Sequence, residues 1–274
     1  MMFNFLKYEF KRSRKFNLFF FFLSLIITVL FAIVLWNVLK NTSYDIDISS
    51  VFESAFVFMI FVVLSINLLY FLRRYRNDIF SKSAYLTFTL DISTNKLFLA
   101  KMITALIVTL INEIIFTVIF SFMNFFMNRR FNIDNLLTKI GMGNFIRLFL
   151  YSILILSIFW LMAYALLTLA ISLTRVKFFR RYYDFVSIVL FVVIFTLILA
   201  LLRYVYVRLP YMIDFEDFAV RYVRQINGFD LSMLYMNLDG KIIGMNIYDL
   251  FISIFTIVIS FVANIYVVEY KIDL

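Results

Sequence analysis

Six long apolar runs, separated by shorter polar segments, dominate the hydrophobic pattern of this chain. They cover about residues 18–39, 51–72, 102–127, 145–172, 185–207 and 247–268. Crossing a hydrocarbon layer about 30 Å thick takes about 20 mostly apolar residues in a helix. Each run meets that length, so the pattern predicts six transmembrane helices in an all-α, polytopic membrane protein with a single transmembrane domain over residues 1–274.

Residues 2–16 precede the first run and have an amphipathic pattern. Their apolar residues fall near one face of a helix, and most of their basic residues fall on the other. The apolar ones are Met2, Phe3, Leu6 and Phe10. This pattern is typical of a helix that lies in the headgroup plane of a bilayer. We therefore predict an interfacial helix that turns into the first span, with a plain positively charged anchor as the alternative.

Composition supports the membrane class. Hydrophobic residues make up 64% of the 274 residues and charged residues 16%. Soluble domains contain roughly 45–50% apolar and about 25% charged residues. The chain has one proline and five glycines, so nothing inside the first five runs demands a break in a helix.

The basic residues predict the orientation of the spans. If the N-terminus is cytoplasmic, the inner segments are 1–17, 73–101, 173–184 and 269–274, and they contain 16 of the 26 Lys and Arg residues. Cytoplasmic segments of membrane proteins carry such an excess. Both termini are therefore predicted to be cytoplasmic. The net charge of +9 indicates attraction to membrane lipids and no nucleic-acid partner, because no soluble domain carries it.

Several chemistries are excluded by residue types that the sequence lacks. It contains no histidine and no cysteine, which removes Ser-His-Asp triads, thiol nucleophiles and the usual zinc sites. No G-x-x-x-x-G-K-[ST] phosphate-binding loop occurs either. The chain is therefore not expected to be an enzyme by itself, and we predict neither a metal site nor a catalytic residue.

The segment 73–101, between the second and third runs, is longer than a plain connection requires. At its centre stands the sequence Asp91-Ile92-Ser93-Thr94-Asn95, whose short polar residues favour a turn or a helix cap. Apolar flanks could hold the segment against the membrane; they are Tyr85, Leu86, Phe88, Leu97 and Phe98. We predict a short structured element with a helix starting near Thr94 and a polar tip in the cytosol. A solvated loop is the alternative.

Residues 85–102, YLTFTLDISTNKLFLAKM, resemble the Y-L-x-T-L-P-[IV]-S-[RT]-x-[KR]-[LI]-[LV]-x-[AG/S]-K stretch of the membrane subunits of type-two ABC exporters. The order of features along the whole chain is similar to that family too, from the amphipathic N-terminal segment to the C-terminal VVEYKIDL. Two departures stand out. Asp91 replaces the usual proline, and the outer connection lacks the proline often found before the last span.

The resemblance implies that 73–101 is a coupling segment, which docks on a separate cytosolic ATPase subunit. The docking residues would be Tyr85, Leu86, Asp91, Ile92, Ser93, Thr94, Asn95, Lys96 and Leu97. It also implies two ATPase copies that bind ATP and Mg²⁺, no cofactor on this chain, and a second permease subunit, identical or paralogous. Residues 173–184 could give a further contact, for which lipid phosphates are the favoured partner.

In the resembling family the second and fifth spans line the transport pathway. The corresponding candidates here are Phe56, Phe61, Asn67, Phe191, Phe195 and Leu199. A wide pathway rich in phenylalanine suits amphipathic or hydrophobic cargo, such as a membrane-active peptide, a lipid-like molecule or a drug.

Glu113 is the acidic residue that lies deep inside an apolar run, and it follows Asn112. Placing a carboxylate at that depth costs at least about 2.5–3.5 kcal/mol, so it should face protein or water and be paired or protonated. A packing hydrogen bond between helices is the favoured interpretation, and a gating or relay contact is the alternative. For Asn67 a packing hydrogen bond is again the favoured interpretation, and a polar wall of the pathway is the alternative.

The outer connection, residues 208–246, has a helix-like stretch over MIDFEDFAVRYVRQI, with turn signals at Asn227-Gly228 and Asp239-Gly240. In the resembling family this region forms an outer lid.

Together these features predict the permease subunit of an ATP-driven exporter in a bacterial cell membrane. The alternative is a membrane protein not driven by ATP, either a secondary transporter or a regulatory or structural partner. A secondary transporter should show internal repeats and broken spans, and the sequence has neither.

Overall fold

Six long helices account for most of the residues described by the computed structural model, which are 2–41, 48–80, 93–131, 142–175, 183–209, 211–214, 219–222, 235–236 and 243–270. The helices are α1 (Met2–Asn41), α2 (Ile48–Phe80), α3 (Thr94–Phe131), α4 (Met142–Leu173), α5 (Tyr183–Arg208) and α6 (Ile247–Tyr270). All six are long and apolar enough to cross a membrane. The predicted all-α, polytopic class is therefore confirmed, and each predicted run lies inside one helix.

Helix α1 is continuous from Met2 to Asn41, and the predicted turn between residues 2–16 and the first span is not found. Residues 2–16 form its first four turns. Its buried side chains recur at helical spacing and are Phe5, Glu9, Ser13, Phe20, Ser24 and Thr28. The Ser13 and Thr28 hydroxyls donate to backbone carbonyls one turn earlier, at 3.1 and 2.7 Å. With those hydroxyls satisfied, a face of small polar residues can pack closely against other helices.

Contacts between residues divide the chain into two compact units. Unit 1 comprises Met1–Tyr70 and Ile103–Ile146, and unit 2 comprises Phe71–Met102 and Arg147–Leu274. Unit 1 therefore contains α1, the first part of α2 and most of α3. Unit 2 contains the end of α2, the start of α3, nearly all of α4, and α5 and α6.

The core of unit 1 is aromatic. Phe20, Val63, Phe116 and Phe120 form a buried cluster, which joins α1, α2 and α3. Phe31 stacks on Phe120 with ring centroids 6.0 Å apart. Nearer the start of α1, the Phe16 and Tyr70 rings stack at 3.7 Å. Offset and edge contacts of this kind add about 0.5–1.5 kcal/mol to the burial of each ring pair.

Helix α4 supplies much of the core of unit 2. Trp160 and Tyr164 stack with centroids 5.5 Å apart, and Phe71 of α2 meets both rings edge-on. Helix α5 is different, because most of its side chains are exposed. Exposed apolar side chains on a membrane-spanning helix can contact lipid, so this exposure carries no penalty there.

The outer connection forms strands where the sequence suggested a helix. The described strands are β1 (Tyr211–Asp214), β2 (Val220–Tyr222), β3 (Tyr235–Met236) and β4 (Ile243–Asn246), in one antiparallel sheet of order β2-β1-β4-β3. Pro210 follows the end of α5 and prevents the helix from continuing. Aromatic and β-branched residues then favour strands, and Tyr211 pairs with Tyr222 across them, with ring centroids 5.6 Å apart. The helix-like prediction is therefore wrong for 212–214 and 220–222.

Candidate coupling site and buried polar clusters

The two described flanks of the predicted coupling segment meet in one buried cluster within unit 2. The last turns of α2 supply Tyr75 and Asp78, and the first turns of α3 supply Phe98 and Lys101. The Lys101 ammonium donates to the Asp78 carboxylate, and both side chains are buried. With Ser172 of α4 and Asn264 of α6, described next, we call these residues the anchor cluster.

Tyr75 connects the anchor cluster to two further helices. Its hydroxyl lies 2.7 Å from Ser172 Oγ and donates to Asn264 Oδ1 at 3.1 Å. The ring meets Phe98 and Phe80 at centroid distances of 5.7 and 6.0 Å. One fully buried side chain therefore ties α2 to α3, α4 and α6, close to both ends of the coupling segment.

The Lys101–Asp78 pair makes the anchor cluster sensitive to substitution. A buried ion pair gains little net stability over a well-packed apolar pair, but removing one partner typically costs about 3–5 kcal/mol. The pair therefore holds the start of α3 against the end of α2. Replacing either residue alone should disrupt that arrangement.

A small cavity adjoins the anchor cluster. Tyr75, Lys101, Thr168 and Asn264 contribute polar groups to its lining, and the space open to the centre of a water molecule is about 10 Å³. That is roughly the room that one water needs, so the cavity is too small for cargo.

Helix α3 begins at Thr94, the start that the cap residues predict. Ser93, Asn95 and Lys96 are exposed, and Thr94 is half-buried. Leu97, in contrast, is only 2% exposed. Its side chain packs inside unit 2, so Leu97 supports the tip from within and does not offer a surface to a partner. The predicted docking residues Tyr85, Leu86, Asp91 and Ile92 lie outside the described residues.

The predicted intramembrane residues come together in unit 1. Asn112 Nδ2 donates to Asn67 Oδ1 at 2.7 Å, and Asn67 Nδ2 donates to the Val63 carbonyl at 2.9 Å. Both asparagines are fully buried. Asn67 therefore makes a packing contact between α2 and α3, as one of its two interpretations required. Glu113 is 3% exposed, and neither carboxylate oxygen has a hydrogen-bond partner among the described residues.

The pathway candidates differ in exposure. Phe61 is 42% exposed, whereas Phe191, Phe195 and Leu199 are half-buried on α5. Phe195 lies between two other rings, 5.2 Å from Phe191 and 5.8 Å from Phe159 of α4. The side chain of Phe56 lies outside the described residues.

Sequence reasoning missed a buried cap at the N-terminal end of α6. Asn246 Oδ1 accepts the backbone N–H of Tyr248 at 2.9 Å, and its Nδ2 donates to the Leu209 carbonyl at 3.1 Å. Asp249, three residues on, is fully buried, but neither of its carboxylate oxygens has a hydrogen-bond partner among the described residues, so it takes no part in the cap. Asparagine directly before an apolar run is a common N-cap, so a signal was present in the sequence. No local signal links Tyr75 to Ser172 and Asn264, which lie 97 and 189 residues away.

No group of three or more acidic residues that could hold a metal ion occurs in the part of the chain that the structure describes. Comparisons with models of protein families, with curated proteins and with solved structures gave no significant match.

Proposed function

We propose that this chain is the membrane subunit of an ATP-driven exporter, inserted in the cell membrane with both termini in the cytoplasm. Two copies, or this chain and a paralogue, would enclose a pathway for an amphipathic or hydrophobic cargo. A separate cytosolic ATPase would bind ATP and Mg²⁺ and dock on the coupling segment. Support comes from the six apolar helices, the distribution of basic residues, and the resemblance carried by residues 85–102.

The anchor cluster is the observation on which this proposal mainly rests. A segment that transmits force from a soluble partner must be attached rigidly to the spans that it moves. Here its flanks are attached through the buried Lys101–Asp78 pair and through the Tyr75 hydrogen bonds to α4 and α6. A plain cytosolic loop would need no such attachment.

Exposure on the described side of the segment suggests how a partner could be contacted. Asn95 and Lys96 project from the first turn of α3 and are exposed, whereas the following Leu97 and Phe98 are buried. A polar, rigid tip over an apolar support suits docking on a soluble subunit, because little side-chain freedom is lost when the tip is bound.

Affinity purification of the tagged chain from its own membranes tests this function. We expect a P-loop ATPase to copurify and to hydrolyse ATP in the purified complex. Lys96→Glu combined with Asn95→Trp should remove the ATPase and leave the amount of inserted chain unchanged, because the new charge and bulk disrupt a close-packed interface. The matched control is Lys11→Glu, which makes the same charge change at an exposed position of α1. Absence of any ATPase from the wild-type complex would contradict the proposal.

A further inference from the structure

Glu113 lacks a partner in a position where a charged group needs one. Both of its carboxylate oxygens are without hydrogen bonds among the described residues. The hydroxyl of Thr117, one turn later, donates to the backbone carbonyl of Glu113 at 2.8 Å and not to the carboxylate. Since an ionised carboxylate can only accept hydrogen bonds, it would carry its charge here without a hydrogen bond from any described residue.

The polar groups around the same level of α3 include oxygen atoms that are open as hydrogen-bond acceptors. The hydrogen-bond chain from Asn112 through Asn67 to the Val63 carbonyl uses an N–H group of each asparagine. Asn112 Oδ1 remains without a partner in the described structure, and so does the hydroxyl of Thr109. Thr109 precedes Glu113 by four residues and therefore lies on the same helical face. Asn112 Oδ1 and the Thr109 hydroxyl oxygen can therefore accept a hydrogen bond from a protonated Glu113, whereas no described residue donates a hydrogen bond to its carboxylate.

No charged side chain of the described residues donates to the Glu113 carboxylate. Phe16 of α1 stacks on Tyr70 of α2, and Phe20 packs with Val63, so Asn67 is level with the part of α1 between Phe16 and Phe20. Arg14 and Lys15 precede that level and are exposed, and Glu9 lies more than two turns before it. The titratable groups in the unit 1 part of α2 are Glu53 and Tyr70. Glu53 precedes Asn67 by 14 residues, about 21 Å along a helix.

Protonation of Glu113 removes its unpaired charge and also lets the carboxyl group donate a hydrogen bond. A neutral carboxylic acid avoids most of the cost of placing a charge inside the membrane. It also provides one O–H donor to a site that has open acceptors. We propose that Thr109, Asn112 and Glu113 form a proton-binding site, in which Glu113 is held as the neutral acid and reacts selectively with hydrophobic carbodiimides.

The reaction that this predicts is balanced without any further reagent. The acid transfers its O–H proton to one nitrogen of the carbodiimide, and the carboxylate oxygen bonds to the central carbon. The resulting O-acylisourea rearranges to a stable N-acylurea by migration of the acyl group from oxygen to nitrogen, with no atom lost. An ionised, water-exposed carboxylate has no proton to transfer. Glu269, which is exposed near the end of α6, is the internal control.

The experiment treats the purified full-length chain in detergent with dicyclohexylcarbodiimide and locates adducts by peptide mass spectrometry. We expect an adduct on Glu113, none on Glu269, and a rate that does not increase as the pH is raised. Replacing choline by Na⁺ at constant pH should leave the rate unchanged. Protection by Na⁺ would overturn the proposal, because it would assign the open oxygens to a metal cation. A rate that increases with pH would overturn it too.

If the bulky reagent cannot reach the site, infrared spectroscopy tests whether Glu113 is protonated. The wild-type chain should show the carbonyl band of a protonated carboxylic acid, shifted in D₂O, and the wild-type minus Glu113→Gln difference spectrum should contain that band, which separates Glu113 from the buried Asp249. The amide of that variant fills the same space, so loss of the band would not reflect loss of the fold. A difference spectrum without that band would show that Glu113 is ionised and would refute the proposal. Neither measurement depends on an ATPase or on transport.

Discussion

Tyr75 shows how a single hydroxyl can organise several membrane helices. It contacts Ser172 of α4 and Asn264 of α6 through one oxygen atom, and its ring packs on Phe98 of α3. In an apolar environment the tyrosine hydroxyl can form hydrogen bonds only with protein groups. If it loses those partners, the free-energy cost of burying a polar group is no longer offset. The position of Tyr75 is therefore determined by three other helices.

Removing that hydroxyl should destabilise unit 2 without changing its shape. We expect Tyr75→Phe to lower the free energy of unfolding by about 1–2 kcal/mol, because Asn264 loses its donor while the aromatic packing remains. Trp160 is buried in the same unit, so its fluorescence can follow unfolding by heat in detergent micelles. Tyr8→Phe is the control, since Tyr8 is 59% exposed. Equal stability of the two variants would refute the role of the hydroxyl.

At the scale of elements, the ends of α2 and α3 behave as one structural piece. The Lys101–Asp78 contact and the Tyr75–Phe98 ring contact join them on both sides of the coupling segment. A hairpin of two membrane helices joined in this way can move as a rigid body, which is the property that a force-transmitting element requires.

The ion pair offers a test of that rigidity. Lys101→Met takes the ammonium away from a buried carboxylate and should cost about 3–5 kcal/mol, enough to reduce the yield of folded protein strongly. The double variant Asp78→Leu with Lys101→Met should restore folding, because neither charge of the pair is then left without the other. Lys96→Met at an exposed position is the control. Monodispersity in size-exclusion chromatography measures folding, and a double variant no better than Lys101→Met would contradict this account.

The helices, but not the contacts between them, could be predicted from the sequence. Each apolar run marks a helix because length and hydropathy alone decide whether a segment can cross a bilayer. The strands after α5 were missed because the alternation around Tyr211 and Ile213 is short and also fits a helical face. The partners of Tyr75 could not be found, since nothing in a local pattern specifies a contact 189 residues away. For Glu113, depth was predictable from the pattern, whereas the absence of a hydrogen bond to its carboxylate from any described residue was not.

At the scale of the whole molecule, orientation in the bilayer is the property that function depends on most. The proposed topology places Ser93 in the cytoplasm and Ser43, between the first two spans, outside. It follows from the basic residues in the inner segments and from an even number of spans. Every functional assignment in the proposal, from the coupling tip to the outer sheet, would reverse sides if this orientation were inverted.

Single cysteines can measure this directly, because the natural chain has none. Ser43→Cys should react with a membrane-impermeant maleimide in intact cells. Ser93→Cys, at an exposed position before α3, should react only after the cells are permeabilised. The two variants serve as controls for each other, and the reverse pattern of labelling would invert the topology.

The unbroken course of α1 has a mechanical consequence. A helix of 40 residues is about 60 Å long, roughly twice the thickness of the hydrocarbon layer. Its N-terminal turns thus belong to the same stiff rod as its membrane-spanning part, and they can act as a lever arm. A sideways force on the basic end would tilt the whole rod, with the bilayer as its fulcrum. Whatever binds residues 2–16, lipid or protein, can therefore set the tilt of the first span from outside the membrane.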